Sequence, residues 1–154
     1  MKNPHENLKL TAPDIQKNIV SAAVIETINV IMKDISSGLF SILVYESRDV
    51  SMKEQMAVVL HYVDGNGCVI EHFLEVERVA NTTALSLKDA IDKLLSIHGL
   101  SVSRLQGQCY DGASNMRGEF NGLKTLILQE NPRAYYVHCF AHQLQLTLVA
   151  VAKK

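Results

Sequence analysis

Asp64-Gly65-Asn66-Gly67 constrains the fold of this chain more than any other segment. Glycine and asparagine accept positive φ at little cost, so the tetrapeptide closes a tight turn. The runs on either side, Glu54 to Val63 and Cys68 to Glu77, are rich in strand formers, and the turn commits them to a hairpin. In the second run Ile70, His72, Leu74 and Val76 share one face by alternation. Glu71, Glu75 and Glu77 line the other, interrupted by Phe73. An acidic face predicts an edge strand turned to water. Ahead of the hairpin, Leu39 to Val44 is apolar except for Ser41, as in a central strand covered on both faces.

Helices fill the rest of the pattern. Pro13 suits a first helical turn, and Ile15, Ile19, Ala22, Ile28, Met32 and Ile35 recur at helical spacing. Ser36-Ser37-Gly38 ends that helix, with Gly38 as the expected left-handed cap. Asn81-Thr82-Thr83 caps a helix to Ile97 that turns Leu87, Ile91, Leu94 and Leu95 inward, and Gly99 terminates it. Arg104 to Tyr110 is a fourth strand. Ser114 or Asn115 then caps a helix holding Phe120, Leu123, Leu126 and Ile127, which Asn131-Pro132 stops. Ala134 to Cys139 is a fifth strand and Phe140 to Ala152 a final apolar helix. The order β-β-β-α-β-α-β-α behind an N-terminal helix predicts an α/β fold with a mixed five-stranded sheet.

Composition narrows the function classes. With 154 residues, 47% of them hydrophobic and 20% charged, the chain suits one globular domain. A net charge of −1 gives no overall positive field toward nucleic acid, so a DNA role needs a local patch or a further domain. The polar start at Met1-Lys2-Asn3 has no signal-peptide core and no apolar run reaches spanning length, so no membrane partner is expected. Cys68, Cys109 and Cys139 lack framework spacing and read as reduced thiols.

Asp111 follows the fourth strand directly. Carboxylates at strand ends suit Mg²⁺, which takes oxygen ligands and keeps several waters. Cleaving a phosphodiester needs two such ions about 4 Å apart. The competing reading of Asp111 is a plain Asp-Gly turn. His138, Cys139 and His142 invite a zinc reading, but a structural site needs four ligands, and neither Cys68 nor Cys109 belongs to a second pair. Asp64 to Glu75 imitates a calcium loop, yet Val69 stands where glycine is required. Gly107 to Gly112 has phosphate-loop glycine spacing without the lysine. His5, His61, His72 and His98 show no partner in the sequence.

Phe40-Ser-Ile-Leu-Val44, Ser51-Met-Lys-Glu-Gln55, Gly107-Gln-Cys-Tyr-Asp-Gly-Ala-Ser-Asn-Met116 and His138-Cys-Phe-Ala-His-Gln-Leu144 together resemble hAT-family DNA transposases. The resemblance is nearest to the transposase-like domain of zinc-finger MYM-type and related plant proteins. It implies an RNase H-like fold, an ancestral Mg²⁺ or Mn²⁺ site, and a nuclear setting with DNA, protein partners or full-length transposase relatives. It implies no small-molecule substrate. It places the family's first metal-binding aspartate at Tyr45 and the second at Asp111, and it matches Cys139 and His142 to a Cys-x-x-His element that organises the site and contacts DNA. A phenol is a poor Mg²⁺ ligand at neutral pH. Glu46 points to the opposite strand face and Asp49 lies in the following loop. Glu119 and Glu130, the only acids after Asp111, share one expected helix as surface residues.

The expected layout is a lead-in over residues 1–12 and a partial RNase H-like transposase domain over 13–154, lacking the family's insertion and C-terminal dimerisation regions. The expected function is that of a transposase-derived domain without chemistry or cofactor. The alternative is a metal-dependent DNA nuclease or strand-transfer domain using Asp111 with Glu46 or Asp49 and a further acid.

Overall fold

The computed structural model describes residues 12–153. The expected lead-in lies outside the described residues except for Ala12, as does His5. The chain forms two compact units, Met1–Asp34 and Ile35–Lys154. The first contributes nearly all of helix α1 (Pro13–Ile35), with Asp14 in its first turn and Lys33 in its last, both matched to the helix dipole. Its Ile15, Ile19, Val20 and Val24 are exposed. The residue that turns left-handed at its end is Ser36, with φ of 46°, and not Gly38. The Gly38 N–H instead donates to the Ile35 carbonyl at 2.7 Å.

The second unit is built on a five-stranded sheet in the order β3-β2-β1-β4-β5. Strand β1 (Phe40–Arg48) pairs antiparallel with β2 (Glu54–Val63), which pairs antiparallel with β3 (Val69–Arg78). On its other side β1 pairs parallel with β4 (Leu105–Tyr110), and β4 with β5 (Tyr135–His138). The hairpin forms as its sequence dictates: Gly67 has φ of 82°, and the Asp64 carboxylate accepts from the N–H groups of Asn66 and Cys68. Strand β1 runs past Val44 to Arg48 because Tyr45 through Arg48 still have partners on β2, from Ala57 to Glu54.

The acidic face of β3 does not form as alternation alone predicts. Val58 pairs with Glu75 but Val59 with Phe73, which leaves Leu74 as the extra residue of a bulge. The bulge moves Glu75 and Glu77 onto the face of Ile70 and His72. There Lys93 bonds Glu77 at 2.9 Å and His98 approaches Glu75 at 3.6 Å. Val76 turns out to solvent instead. His72 also gains a neighbour, its ring lying 6.1 Å from that of Tyr62.

Helix α2 (Ala84–Ile97) starts on Thr83, whose hydroxyl accepts from the Ser86 N–H, and ends at left-handed Gly99. Its Leu87, Ile91, Leu94 and Leu95 are buried with Ile42, Val44, Met56, Val58 and Leu60 from one face of the sheet. A short 3₁₀ turn, Val102–Arg104, leads into β4. The single helix expected after it is two pieces, α3 (Ser114–Arg117) and α4 (Leu123–Glu130), neither capped by a side chain. The cause is a close approach of backbone to backbone at Gly118 and Gly122: a Cβ on Gly122 would lie 2.3 Å from the Gly118 nitrogen. Phe120, in the break, is exposed, and Glu119 lies there too. Glu130 pairs with buried Lys88 at 2.6 Å and ties α4 to α2, so it is not a free surface acid. Asn131 then donates to the carbonyls of Val102 and Leu105 and accepts from the Arg133 N–H. This clamp joins the start of β4 to the turn before β5. Strand β5 is shorter than Ala134 to Cys139, since Cys139 already serves as the N-cap of helix α5 (Phe140–Ala152).

Candidate active-site remnant

Strand register brings the candidate residues together. Leu43 pairs with Cys109 in the parallel β1–β4 ladder, and two more residues along both chains bring Tyr45 opposite Asp111. Both lie at the C-terminal side of a parallel pair, where α/β sheets place ligands. From β5, the Cys139 N–H donates to the Tyr110 carbonyl at 3.0 Å, which fixes Cys139 next to the end of β4. The first turn of α5 then adds His142. The outcome is a cavity of about 310 Å³ lined by Tyr45, Glu46, Asp111, Cys139, His142 and Gln145, among others.

The cavity is chemically lopsided. The Asp111 carboxylate accepts from the Ala113 N–H at 3.0 Å, the geometry of an Asp-Gly turn, while its carbonyl accepts from the Tyr136 hydroxyl at 2.9 Å. The turn reading and the site reading of this aspartate therefore coexist. Opposite it, the Tyr45 hydroxyl lies 3.5 Å from the Cys139 sulfur. That hydrogen bond, with burial, pushes the Tyr45 phenol up to about 12. Burial works against a Cys139 thiolate, but the Tyr45 hydrogen bond and the N–H groups of His142 and Ala141 outweigh it and hold the thiol below its ordinary range. Burial, then the charge of Cys139, pushes its neighbour Cys109 up to about 11. The phenol therefore stays neutral at ordinary pH.

Glu46 departs from simple alternation. It lies on the strand face opposite Tyr45, yet the cavity wraps the strand and reaches both. Each of its oxygens lies 3.1 Å from the Asn115 amide, which also donates to the Thr82 carbonyl at 2.8 Å. Burial raises the Glu46 carboxyl and the charge of Asp111 adds to the rise, against the Asn115 hydrogen bond. Asn115, expected as a helix cap, is thus a latch between β1 and the loop before α2. Asp49 is not part of the cavity. Its carboxylate is taken by the Ser51 N–H and hydroxyl and the Lys53 N–H, which hold the β1–β2 turn.

The His-Cys-x-x-His element splits by role. Cys139 caps α5 and faces the cavity with His142, while the His138 ring packs on Gly112, where a Cβ would lie 3.2 Å from it. The His138 and His142 rings are 6.2 Å apart. Cys68 is exposed on the distant hairpin. Among the described residues, no three His, Cys, Asp or Glu side chains are grouped to hold a metal ion. A two-ion site does not fit these residues, because Asp111 faces a phenol where a second carboxylate would be needed.

Fold and strand order define an RNase-like α/β domain with a mixed sheet. The chain belongs to the ZMYM1/FAM200 RNase-like domain family, DUF4371, whose model matches residues 1–122. The match takes in Tyr45, Glu46 and Asp111. Cys139 and His142 lie beyond it, and their place beside Asp111 comes from the geometry alone. No helix among the described residues is long and apolar enough to cross a membrane.

Proposed function

We propose that this is a transposase-derived, RNase H-like domain of hAT type that no longer cuts DNA and acts through contacts with DNA or protein in the nucleus. One observation carries the reading: Tyr45 stands opposite Asp111, and its hydroxyl is engaged by Cys139. Phosphodiester cleavage needs two cations held on shared carboxylates. Asp111 offers one carboxylate, and a neutral phenol offers none. The nuclear setting and the DNA or protein partners rest on the transposase resemblance, and so does the ancestral Mg²⁺ or Mn²⁺.

The second reading is a metal-dependent nuclease that pairs Asp111 with Glu46. Its support is that the two share a cavity and that Asp111's charge reaches Glu46. Against it, the Asn115 amide holds both Glu46 oxygens. Incubating the protein with duplex DNA and Mg²⁺ or Mn²⁺ separates the two. The first reading expects no cleavage. Cleavage that disappears in Asp111→Asn and in Glu46→Gln establishes the second.

A further inference from the structure

We propose that the outer edge of β3 is a self-association surface, at which two copies of this chain pair their β3 strands antiparallel about a two-fold axis between Leu74 and Glu75. The proposal is independent of any chemistry at Asp111. Strand β3 ends the sheet on one side, and its outer edge has no strand partner among the described residues. Its ten residues present a row of backbone N–H and C=O groups to a further strand.

Edge strands are normally blunted by a bulge or by charge. In β3 both features are symmetric. The bulge puts Leu74 and Glu75 together on the face covered by α2. From there the faces alternate in step in both directions. Phe73 and Val76 lie on the open face, His72 and Glu77 on the covered one, and Glu71 and Arg78 on the open one. Opposed residues of an antiparallel pair share a face, so a regular strand meets its own copy only through residues an even number apart. The bulge shifts that rule by one and lets residues an odd number apart oppose each other.

The side chains suit this register. On the open face Phe73, 58% exposed, meets Val76 of the second copy, 44% exposed. Glu71 meets Arg78 of the second copy, and among the described residues neither is in an ion pair within its own chain. Symmetry makes each of these pairs twice. On the covered face His72 meets Glu77. The one like-charge contact is Glu75 with its copy across the axis, where each carboxylate has its own His98 ring at 3.6 Å. The axis runs perpendicular to the sheet, so the open faces of both copies lie on the same side. The row Val137, Cys109, Leu43, Val59 and Phe73, aligned from strand to strand, then continues into the second copy at Val76.

Sedimentation velocity from about 10 µM to about 1 mM tests the proposal. The expected result is a monomer–dimer equilibrium with Kd of ~100 µM, as suits an interface of edge-strand size. Glu71→Arg and Arg78→Glu, each with native circular dichroism, should weaken the dimer about tenfold, because each sets two like charges opposite each other. The double variant Glu71→Arg/Arg78→Glu should return to within about threefold of wild type. Amide exchange should slow along Val69–Arg78 as protein concentration rises. A monomer at every concentration, a dimer that either single reversal leaves unchanged, or a double variant no better than the singles would overturn the proposal. Association through the exposed Ile15 and Ile19 of α1 would be indifferent to both reversals and so counts against it.

Discussion

Replacing Asn131 with alanine removes the clamp that sets where β4 begins, and with it the position of Asp111. The side chain is 6% exposed and donates to Val102 at 2.8 Å and Leu105 at 2.7 Å, while its oxygen accepts from Arg133 at 3.0 Å. Each hydrogen bond is worth about 1 kcal/mol net, so the loss of all three costs about 3 kcal/mol. The Val102 carbonyl keeps the Leu105 N–H, which limits the penalty for an unpaired acceptor. Asn131→Asp should cost more than alanine, because it turns a carboxylate oxygen toward two carbonyls. Equilibrium urea unfolding measures this directly. With a slope of about 2 kcal/mol per molar, the alanine midpoint should fall by ~1.5 M. An alanine variant within about 0.5 kcal/mol of wild type, or an aspartate variant as stable as wild type, would refute the clamp.

Two further substitutions probe the backbone and the cavity. Gly122→Ala places a Cβ 2.3 Å from the Gly118 nitrogen, so it should lower Tm sharply, and more than Gly65→Ala, where nothing lies within 4 Å. Thermal unfolding by circular dichroism compares the pair. Glu46 has its carboxyl raised by burial and by Asp111, so its ionisation is harder in the folded state than in the unfolded one. The associated stability is full below the unfolded carboxyl range, near about 4.3, and is lost as pH rises through the folded value. Glu46→Gln should therefore leave stability unchanged at low pH and raise it at neutral pH. Denaturation across that range tests the sign, and a variant less stable at neutral pH contradicts it.

What the sequence could reveal followed from the range of each interaction. Asp64 to Gly67 and the Thr83 cap are local, and both formed where their residues called for them. The β3 bulge depends on which β2 residue lies across from Leu74, and no pattern within β3 contains that. The break between α3 and α4 had a signal in Gly118 and Gly122, but helical periodicity across Leu123 and Ile127 masked it. In the site, strand logic placed Asp111 at the end of β4, and the resemblance pointed to Tyr45. Asn115 was missed because a residue ahead of a helix looks like a cap. Its bond to Glu46 spans most of the unit.

The central claim is that Tyr45 and Asp111 face each other at a former metal site. Calorimetric titration with Mn²⁺ tests it most directly, on wild type, Tyr45→Asp and Tyr45→Asp/Asp111→Asn. A second carboxylate beside Asp111 should raise Mn²⁺ affinity by about tenfold or more without restoring DNA cleavage, and removing Asp111 from the double variant should abolish the gain. A Tyr45→Asp protein that gains no affinity, or whose gain survives the loss of Asp111, would contradict the claim.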